Sequence, residues 1–160
     1  MRDIWVISDT HFNHTNIIKY CNRPFDNADK MNSCLIEQWN SVVKDGDIVY
    51  HLGDVYITGQ FDHIGAALKG KKRLILGNHD TGKDQSLLRH FQNIMMWRMF
   101  PEFGLLLTHV PVHPSTLQDK CPVNIHGHIH NKPSYSKQYV NVSVEMINYR
   151  PINIEELRVL

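Results

Sequence analysis

Short apolar runs alternate with amphipathic stretches through the first half of the chain. Residues 4–7, 48–52 and 73–76 are rich in β-branched or aliphatic side chains and end in polar residues, which predicts buried strands. Apolar residues recur every three or four positions after Asp26, the predicted N-cap, and again around residues 61–68 and 84–91, which predicts three helices. This alternation is typical of an α/β sheet with parallel strands.

The second half of the chain changes character, because its apolar runs are all short and strand-like. They occupy residues 94–100, 104–107, 123–125, 139–144 and 149–154. We therefore expect two sheets packed face to face, with helices outside. No repeat, low-complexity run or linker divides the 160 residues, so we expect a single domain over residues 1–160.

Composition narrows the class of protein mainly by exclusion. With 17 Lys and Arg against 16 Asp and Glu, the net charge of +1 excludes a grossly basic nucleic-acid arm or an acidic disordered tail. Three widely spaced cysteines make neither a disulfide framework nor a thiolate zinc cluster. No signal peptide or membrane-spanning run is apparent. We expect a soluble cytoplasmic protein with no membrane partner.

Polar clusters follow the predicted strands and are unusually rich in histidine, which makes up 11 of the 160 residues. Because ligands of open α/β sheets bind at the carboxyl ends of the strands, we expect these clusters to converge. Imidazole, carboxylate and amide oxygen suit Mn, Fe or Zn better than Ca²⁺, and the Asp54 carboxylate could bridge two such ions. The candidate metal ligands are Asp9, His11, Asp54, Asn78, His109, His128 and His130.

Five short motifs occur along the chain in a particular order, and together they resemble the calcineurin-like metallophosphoesterase superfamily. The motifs are Asp9-x-His11, Gly53-Asp54, Gly77-Asn78-His79-Asp80, Thr108-His109 and Gly127-His128-x-His130. Residues 9–18, 23–25 and 141–145 further resemble small single-domain bacterial and phage members. Larger members commonly carry a second acid after Gly-Asp, whereas Val55, Tyr56 and Ile57 follow Asp54 here.

This resemblance implies a fold, a metal centre and a reaction. The fold is a four-layer αββα sandwich of two mixed β-sheets, with a dinuclear site at the strand C-terminal ends. One ion would be held by Asp9, His11, Asp54 and His130, and the other by Asp54, Asn78, His109 and His128. The expected ions are two divalent transition metals, manganese first, with iron, nickel or zinc as alternatives. His79 would be the uncoordinated catalytic histidine.

The expected activity is metal-dependent hydrolysis of a phosphodiester or a phosphomonoester, with the diester favoured. Water activated by the two cations would attack phosphorus, and His79 would assist the leaving oxygen. His14, Asn16 and Arg23 follow the first motif and could hold phosphate oxygens, although Arg23 is equally well interpreted as a structural ion-pair partner. The expected substrate is a small phosphoester or a nucleotide-like molecule, and nucleic acid stays open.

Two other motifs superficially account for some of these histidines. His126, His128 and His130 superficially resemble a metallo-β-lactamase motif, but no Asp-His pair follows them. His79-Asp80 resembles an HD-type phosphohydrolase, which would require an all-helical context. His51 is expected to be a structural or surface residue and His126 a structural one, and His113 stays undecided. A non-catalytic metal-binding scaffold of the same fold is the alternative function.

Overall fold

The strands of the computed structural model, which describes residues 2–159, form two sheets. Along the chain they are β1 (Ile4–Ile7), β2 (Ile48–His51), β3 (Lys71–Ile75), β4 (Asn93–Met95), β5 (Trp97–Phe100), β6 (Leu105–Thr108), β7 (Val123–His126), β8 (Tyr139–Asn141) and β9 (Ile152–Asn153). One sheet has the order β4-β3-β2-β1-β9 and the other β5-β6-β7-β8. Both are mixed, because β9 and β5 run antiparallel to their neighbours while the other pairs are parallel.

The α-helices connect the parallel strands of the five-stranded sheet. They are α1 (Thr15–Tyr20), α2 (Ala28–Val42), α3 (Asp62–Ala67) and α4 (Gln85–His90). Three short 3-10 helices follow, over Pro114–Thr116, Val144–Met146 and Ile154–Leu157. Helix α2 begins after Asn27, whose side chain accepts a hydrogen bond from Lys30 N, so the prediction of Asp26 as N-cap is one residue early. Asp84 caps α4 by accepting from two backbone amides.

Two apolar cores form on opposite faces of the five-stranded sheet, because successive strand residues point to opposite sides. Ile7, Val49 and Leu74 face the helices, where Leu35 and Trp39 of α2 are buried against them. The adjacent residues on the same strands, Val6, Tyr50 and Ile75, face the four-stranded sheet. There they pack with Leu105, Leu107 and Ile125. The predicted arrangement of two mixed sheets flanked by helices is confirmed.

The predicted strand over residues 94–100 is in fact two strands in different sheets. Met96 separates β4, which pairs with β3, from β5, which pairs with β6. The segments predicted at residues 139–144 and 149–154 are also shorter than expected, since each passes into a 3-10 helix. Helix α1 was not predicted, because six residues are too few to display an apolar periodicity.

The outer face of the four-stranded sheet is covered differently from that of its partner. Residues 110–121, with the 3-10 helix Pro114–Thr116, fold over it in place of an α-helix. Asn124 Oδ1 accepts from Val112 N at 3.0 Å, and Tyr139 Oη donates to Val112 O at 2.9 Å. Across residues 2–159, no helix is long and apolar enough to cross a membrane.

Candidate metal centre

Backbone hydrogen bonds between loops bring the polar strand ends together. Asp9 N donates to Gly53 O at 3.0 Å and His11 N to Asp54 O at 3.1 Å, which joins the loops after β1 and β2. Gly127 N donates to His109 O at 2.9 Å, which joins the loops after β6 and β7. Because these contacts are between main-chain atoms, they position the side chains whatever ion or proton the side chains carry.

The converging side chains form two groups of potential metal ligands. The Asp9 group consists of Asp9, His11 and His130, and the Asp54 group of Asp54, His109 and His128; ligand atoms within each group lie within 4.8 Å of one another. His11 Nε2 is 3.8 Å from Asp9 Oδ1 and 3.6 Å from Asp54 Oδ2. These separations are too long for hydrogen bonds but match two donors sharing one ion at bond lengths of about 2.1 Å.

Asp54 lies between the two groups. Its Oδ2 is 3.6 Å from His11 Nε2 and 3.4 Å from His109 Nε2, while its Oδ1 accepts from His79 N at 2.9 Å. Asn78 Oδ1 completes the second side, at 2.9 Å from both His109 Nε2 and His128 Nδ1. All seven side chains that the sequence singled out as ligands therefore face one another in the structure.

The inner nitrogens of three histidines are oriented by contacts at the opposite edge of each ring. His109 Nδ1 lies 2.7 Å from Leu52 O, which requires a proton on Nδ1 and directs Nε2 towards the centre. His130 Nδ1 contacts Glu145 Oε1 at 3.2 Å, and His11 Nδ1 lies 3.1 Å from His14 Nδ1. A metal-binding histidine is typically held by its other nitrogen in this way.

Two buried polar atoms in the Asp9 group test whether a cation fits there. Asp9 Oδ1 and His11 Nε2 are buried without a hydrogen-bond partner, although unsatisfied buried polar atoms are costly. The same carboxylate's Oδ2 accepts three bonds, from Ser8 Oγ, Ser143 Oγ and His128 N. A divalent ion would satisfy both unpartnered atoms, so the residues present fit the proposed group.

The charges of the cluster also favour a cation. Burial by itself would raise the pKa of Asp9, but His11 and the nearby His109 and His130 lower it to about 2. Burial likewise opposes ionisation of Asp54, and His109 and His11 outweigh it, so the Asp54 pKa is lowered. Both carboxylates therefore stay ionised at neutral pH, where they attract positive charge.

Most of the candidate ligands have a backbone conformation that side chains rarely adopt. Asp9, His11, Asp54, His128 and His130 all have positive φ, between 49° and 68°. This left-handed region costs free energy for residues other than glycine and is concentrated at functional sites, where the surrounding contacts enforce it.

Glycines beside the ligands let the loops approach closely. A Cβ at Gly77 would collide with the Asp54 carboxylate, and one at Gly127 would collide with Ser8 Oγ and Asp9 Oδ2. At Gly53, where φ is +100°, it would come within 2.8 Å of His109 Nδ1. The glycine of each motif is thus required by close packing against a ligand.

Arg23 is placed differently from the substrate contact predicted for it. Its side chain is buried, and its donors bind Thr10 O, Asp9 O, Glu145 Oε1 and Met31 Sδ. Glu145 in turn contacts His130, so the Arg23–Glu145 ion pair supports the Asp9 group through His130. With its guanidinium fully occupied by protein acceptors, Arg23 fits the structural alternative and not a phosphate contact.

The remaining predicted site residues lie at the solvent side of the centre. His79 is exposed, and its ring is edge-on to that of His11 with centroids 5.7 Å apart. His14 stacks on His11, with centroids 5.2 Å apart, and burial together with positive neighbours lowers the His14 pKa. Asn16 is exposed on α1.

Two buried histidines and the partly buried Asp80 contact the loops near the centre. Burial lowers the pKa of His51 to about 3, and the neutral ring accepts from Gly53 N while facing Thr10 Oγ1. His126 lies outside both groups, with Nδ1 2.9 Å from Gly127 O. Asp80 accepts from the amides of Asp54, Val55 and Gly77, and so orders two motif loops.

Glu145 and the serines at positions 8 and 143 were missed as contributors to the centre when the sequence was considered alone. Ser143 and Glu145 lie far along the chain from Asp9, and although residues 141–145 carry part of the resemblance, nothing in that segment assigns either side chain to the centre. Ser8, which directly precedes Asp9, could have been suspected from adjacency. His113 accepts from Ser115 N, as a cap of the 3-10 helix that follows it.

The fold is that of the metal-dependent phosphoesterases, and the candidate metal ligands lie at its strand ends. A family model described as calcineurin-like phosphoesterase matches residues 2–112, and the chain belongs to that family. The family uses divalent metal ions, and the two groups of side chains described above are candidates to hold them.

Individual relatives come from an archaeon and from a phage. The chain is 38% identical to an uncharacterized protein of Methanocaldococcus jannaschii, over 97% of this chain and 89% of that protein. It is 30% identical to the gene 66 protein of Mycobacterium phage L5, over 82% of this chain and 79% of that protein.

Solved structures share the fold. A protein of unknown function from Aquifex aeolicus superimposes with a TM-score of 0.82 and 28% identity, covering 98% of both chains. A nuclease from Pseudomonas putida superimposes with a TM-score of 0.54 and 18% identity, over 81% of this chain and 62% of that one. At that identity the likeness to the nuclease concerns the fold alone.

Proposed function

We propose that this protein is a phosphodiesterase that holds two divalent transition-metal ions. Asp9, His11, Asp54 and His130 would bind one ion, and Asp54, Asn78, His109 and His128 the other. The observation that carries the proposal is the position of Asp54 Oδ2, within 3.6 Å of an imidazole nitrogen of each group. When bound, a pair of such ions lowers the pKa of water and stabilises charge on phosphoryl oxygens.

His79 is the residue we assign to the leaving oxygen. It belongs to neither ligand group, its ring borders the centre beside His11, and its backbone N–H is fixed on Asp54 Oδ1. The exposed imidazole at this edge could contact the departing oxygen and assist it. Ser8 and Ser143 do not compete as nucleophiles, because both hydroxyls donate to Asp9.

The charges around the centre favour a diester over a monoester. A monoester carries an additional negative charge, which usually requires extra cationic side chains for binding. Arg23, the predicted cationic phosphate contact, is turned towards Glu145 and two carbonyls, and the lowered pKa of His14 leaves that ring neutral. His14 and Asn16 would then contribute hydrogen bonds to a monoanionic phosphate. The nuclease activity named for the Pseudomonas putida neighbour concerns the same kind of bond.

Manganese is the ion we propose first, with iron, nickel and zinc as alternatives. The candidate donors are nitrogen and oxygen only, which suits this set of metals.

All three cysteines are unpaired, which supports a reducing cytoplasmic compartment.

The experiment is to strip the protein of metal, add back Mn²⁺, Mg²⁺, Ni²⁺ or Zn²⁺, and measure hydrolysis of matched phosphodiesters and phosphomonoesters. We expect activity only with added transition metal, higher kcat/KM on diesters, and none in an Asp9→Ala variant. Exposed Glu37 on α2 supplies the control, since Glu37→Ala should retain full activity. Stoichiometric metal without hydrolysis of any ester would instead favour the scaffold alternative.

A further inference from the structure

An apolar cavity of about 600 Å³ opens beside the candidate metal centre. It lies against the outer face of the four-stranded sheet, where residues 110–121 arch over β5 and β6 in place of a flanking helix. The side chains that form its wall are Met96, Trp97, Met99, Leu106, Val110 and Val112. Its volume falls within the range of about 300–1,000 Å³ that is typical of small-molecule sites.

This cavity is continuous with the centre. Gly77, Asn78 and His109 line it, and Asn78 and His109 are two of the candidate ligands in the Asp54 group. A phosphodiester held at the centre could therefore place one of its two ester groups along this wall. The cavity is the part of the structure best placed to contact a substituent of the phosphate.

The wall keeps large apolar side chains in contact with solvent. Trp97 is 62% exposed and Met96 60% exposed, and Val110 is exposed as well. Contiguous exposed apolar surface usually marks a binding site. Trp97 and Met99 project from the same face of β5, because they are two residues apart in one strand. An indole beside thioethers favours contact with a flat aromatic ring.

The lining also limits what can bind. No Lys, Arg, Asp or Glu is among the described residues that line the cavity. A second phosphate would lose its hydration there without gaining a counter-charge, which is unfavourable. The occupant is therefore an uncharged group, and a polynucleotide backbone or a polyphosphate would have to leave the centre in another direction.

We propose that this cavity is a nucleobase site: it holds the uncharged aromatic base of a nucleotidyl phosphodiester whose phosphate lies at the metal centre. Trp97 provides the stacking surface, and Met96, Met99 and Leu106 provide the rest of the apolar wall. The proposal rests on the proposed phosphodiesterase function for its phosphate, but the base site itself can be measured without hydrolysis.

The first measurement is binding of free thymidine, an uncharged nucleoside, to metal-free protein by nitrogen-15 NMR. Trp39 is fully buried and Trp5 half-buried, so the exposed Trp97 indole is a distinct reporter. We expect its N–H signal to shift at millimolar thymidine. Met99→Trp, which fills the cavity, should weaken binding at least tenfold, whereas Leu88→Ala, an exposed apolar residue on α4, should leave it unchanged.

The second measurement compares two diesters that differ only in the base: the methyl ester of thymidine 5′-phosphate and that of 2-deoxyribose 5-phosphate. Phosphorus NMR with Mn²⁺ present should give a kcat/KM at least tenfold higher for the thymidine ester. This ratio should fall towards one in Trp97→Ala and Met99→Trp, and it should persist in Leu88→Ala. Trp97→Ala alters an exposed side chain and thus keeps the test valid if Met99→Trp does not fold.

The outcomes separate the two proposals. Cleavage of neither diester would contradict the phosphodiesterase proposal, and the thymidine titration would still decide whether the cavity binds a base. A Trp97 signal that does not respond to thymidine, or a thymidine preference that survives both cavity variants, would overturn the base site even if both diesters are cleaved.

Discussion

The two groups of candidate ligands differ in depth and in what holds them. In the Asp9 group, Asp9 and His11 are buried, and the Arg23–Glu145 ion pair contacts His130. In the Asp54 group, His128 is exposed, and so is Asn78, which joins this group through its amide oxygen. The first group is thus enclosed by protein, whereas the second opens to solvent and to the apolar cavity.

This difference indicates a division of roles within one centre. Charged ligands enclosed by protein bind a cation tightly because few waters compete and the carboxylates stay ionised. Substrate can enter at the Asp54 group, since its exposed His128 and Asn78 border solvent and Asn78 lines the cavity. We expect the Asp9 group to retain its ion more strongly and the Asp54 group to exchange its ion more readily.

The largest effect is expected from the residue shared by both groups. Asp54→Ala should abolish binding of both ions, because its Oδ2 faces His11 and His109 alike. Asn78→Ala should lose at most the ion held by the Asp54 group. Elemental analysis after dialysis measures both. Two ions retained in Asp54→Ala would contradict the bridging role.

His79 borders the centre beside His11 without belonging to either group, so its replacement separates chemistry from metal binding. His79→Ala should keep both ions while kcat falls by about 10²–10⁴-fold, the usual effect of a lost general acid. The loss should be smaller for p-nitrophenyl esters, whose leaving group needs little protonation, than for alkyl diesters. Equal losses on both, with metal retained, would point to phosphate binding instead.

A substitution at Glu145 tests whether its contacts with Arg23 and His130 support metal binding by the Asp9 group. Glu145→Gln removes the charge that faces His130 and Arg23, so the affinity of that group for its ion should fall by about 10–100-fold. The other ion should be unaffected, giving two separated steps in a calorimetric titration with Mn²⁺. Glu37→Gln, on the exposed side of α2, is the control. A parallel loss at both steps would contradict the division between the groups.

The smallest expected effect concerns His51, which connects the loops of the two groups through Thr10 and Gly53. Burial lowers its pKa to about 3, against about 6.5 in the unfolded chain, so only the unfolded state gains a proton as pH falls below 6.5. Its contribution to stability is complete above pH 6.5 and is progressively lost towards pH 3.

From pH 7 to pH 5 this proton uptake should reduce the free energy of unfolding by about 2 kcal/mol. Urea unfolding of the metal-free protein at the two pH values measures the change. His51→Gln should lack this pH-dependent loss of stability. The free energies of unfolding of wild type and variant should therefore differ less at pH 5 than at pH 7. A difference that is the same at both pH values would show that His51 is protonated in the folded state.

The sequence predicted the fold class and the residues at the centre because both are encoded locally. Each candidate ligand follows a short apolar run, and the carboxyl ends of parallel strands meet at one edge, so Asp9, Asp54 and Asn78 could be expected to converge. The glycines at positions 53, 77 and 127 stand beside those ligands in sequence as well as in space.

Features that depend on distant contacts were not predictable in the same way. The apolar run over residues 94–100 is continuous, but Met96 is where the chain passes from one sheet to the other. Nothing local indicates this, because pairing with β3 or with β6 depends on where those strands lie. Arg23 and Glu145, 122 residues apart, could not be joined from spacing.

The sequence by itself therefore determined which donor atoms are available and in which order they occur, since residue type and strand periodicity are properties of short segments. The tertiary structure alone decided how far apart the candidate donor atoms lie, which histidines are buried, and that an apolar cavity adjoins the centre. Each of these depends on burial and on interatomic distance, which arise only when remote segments pack together.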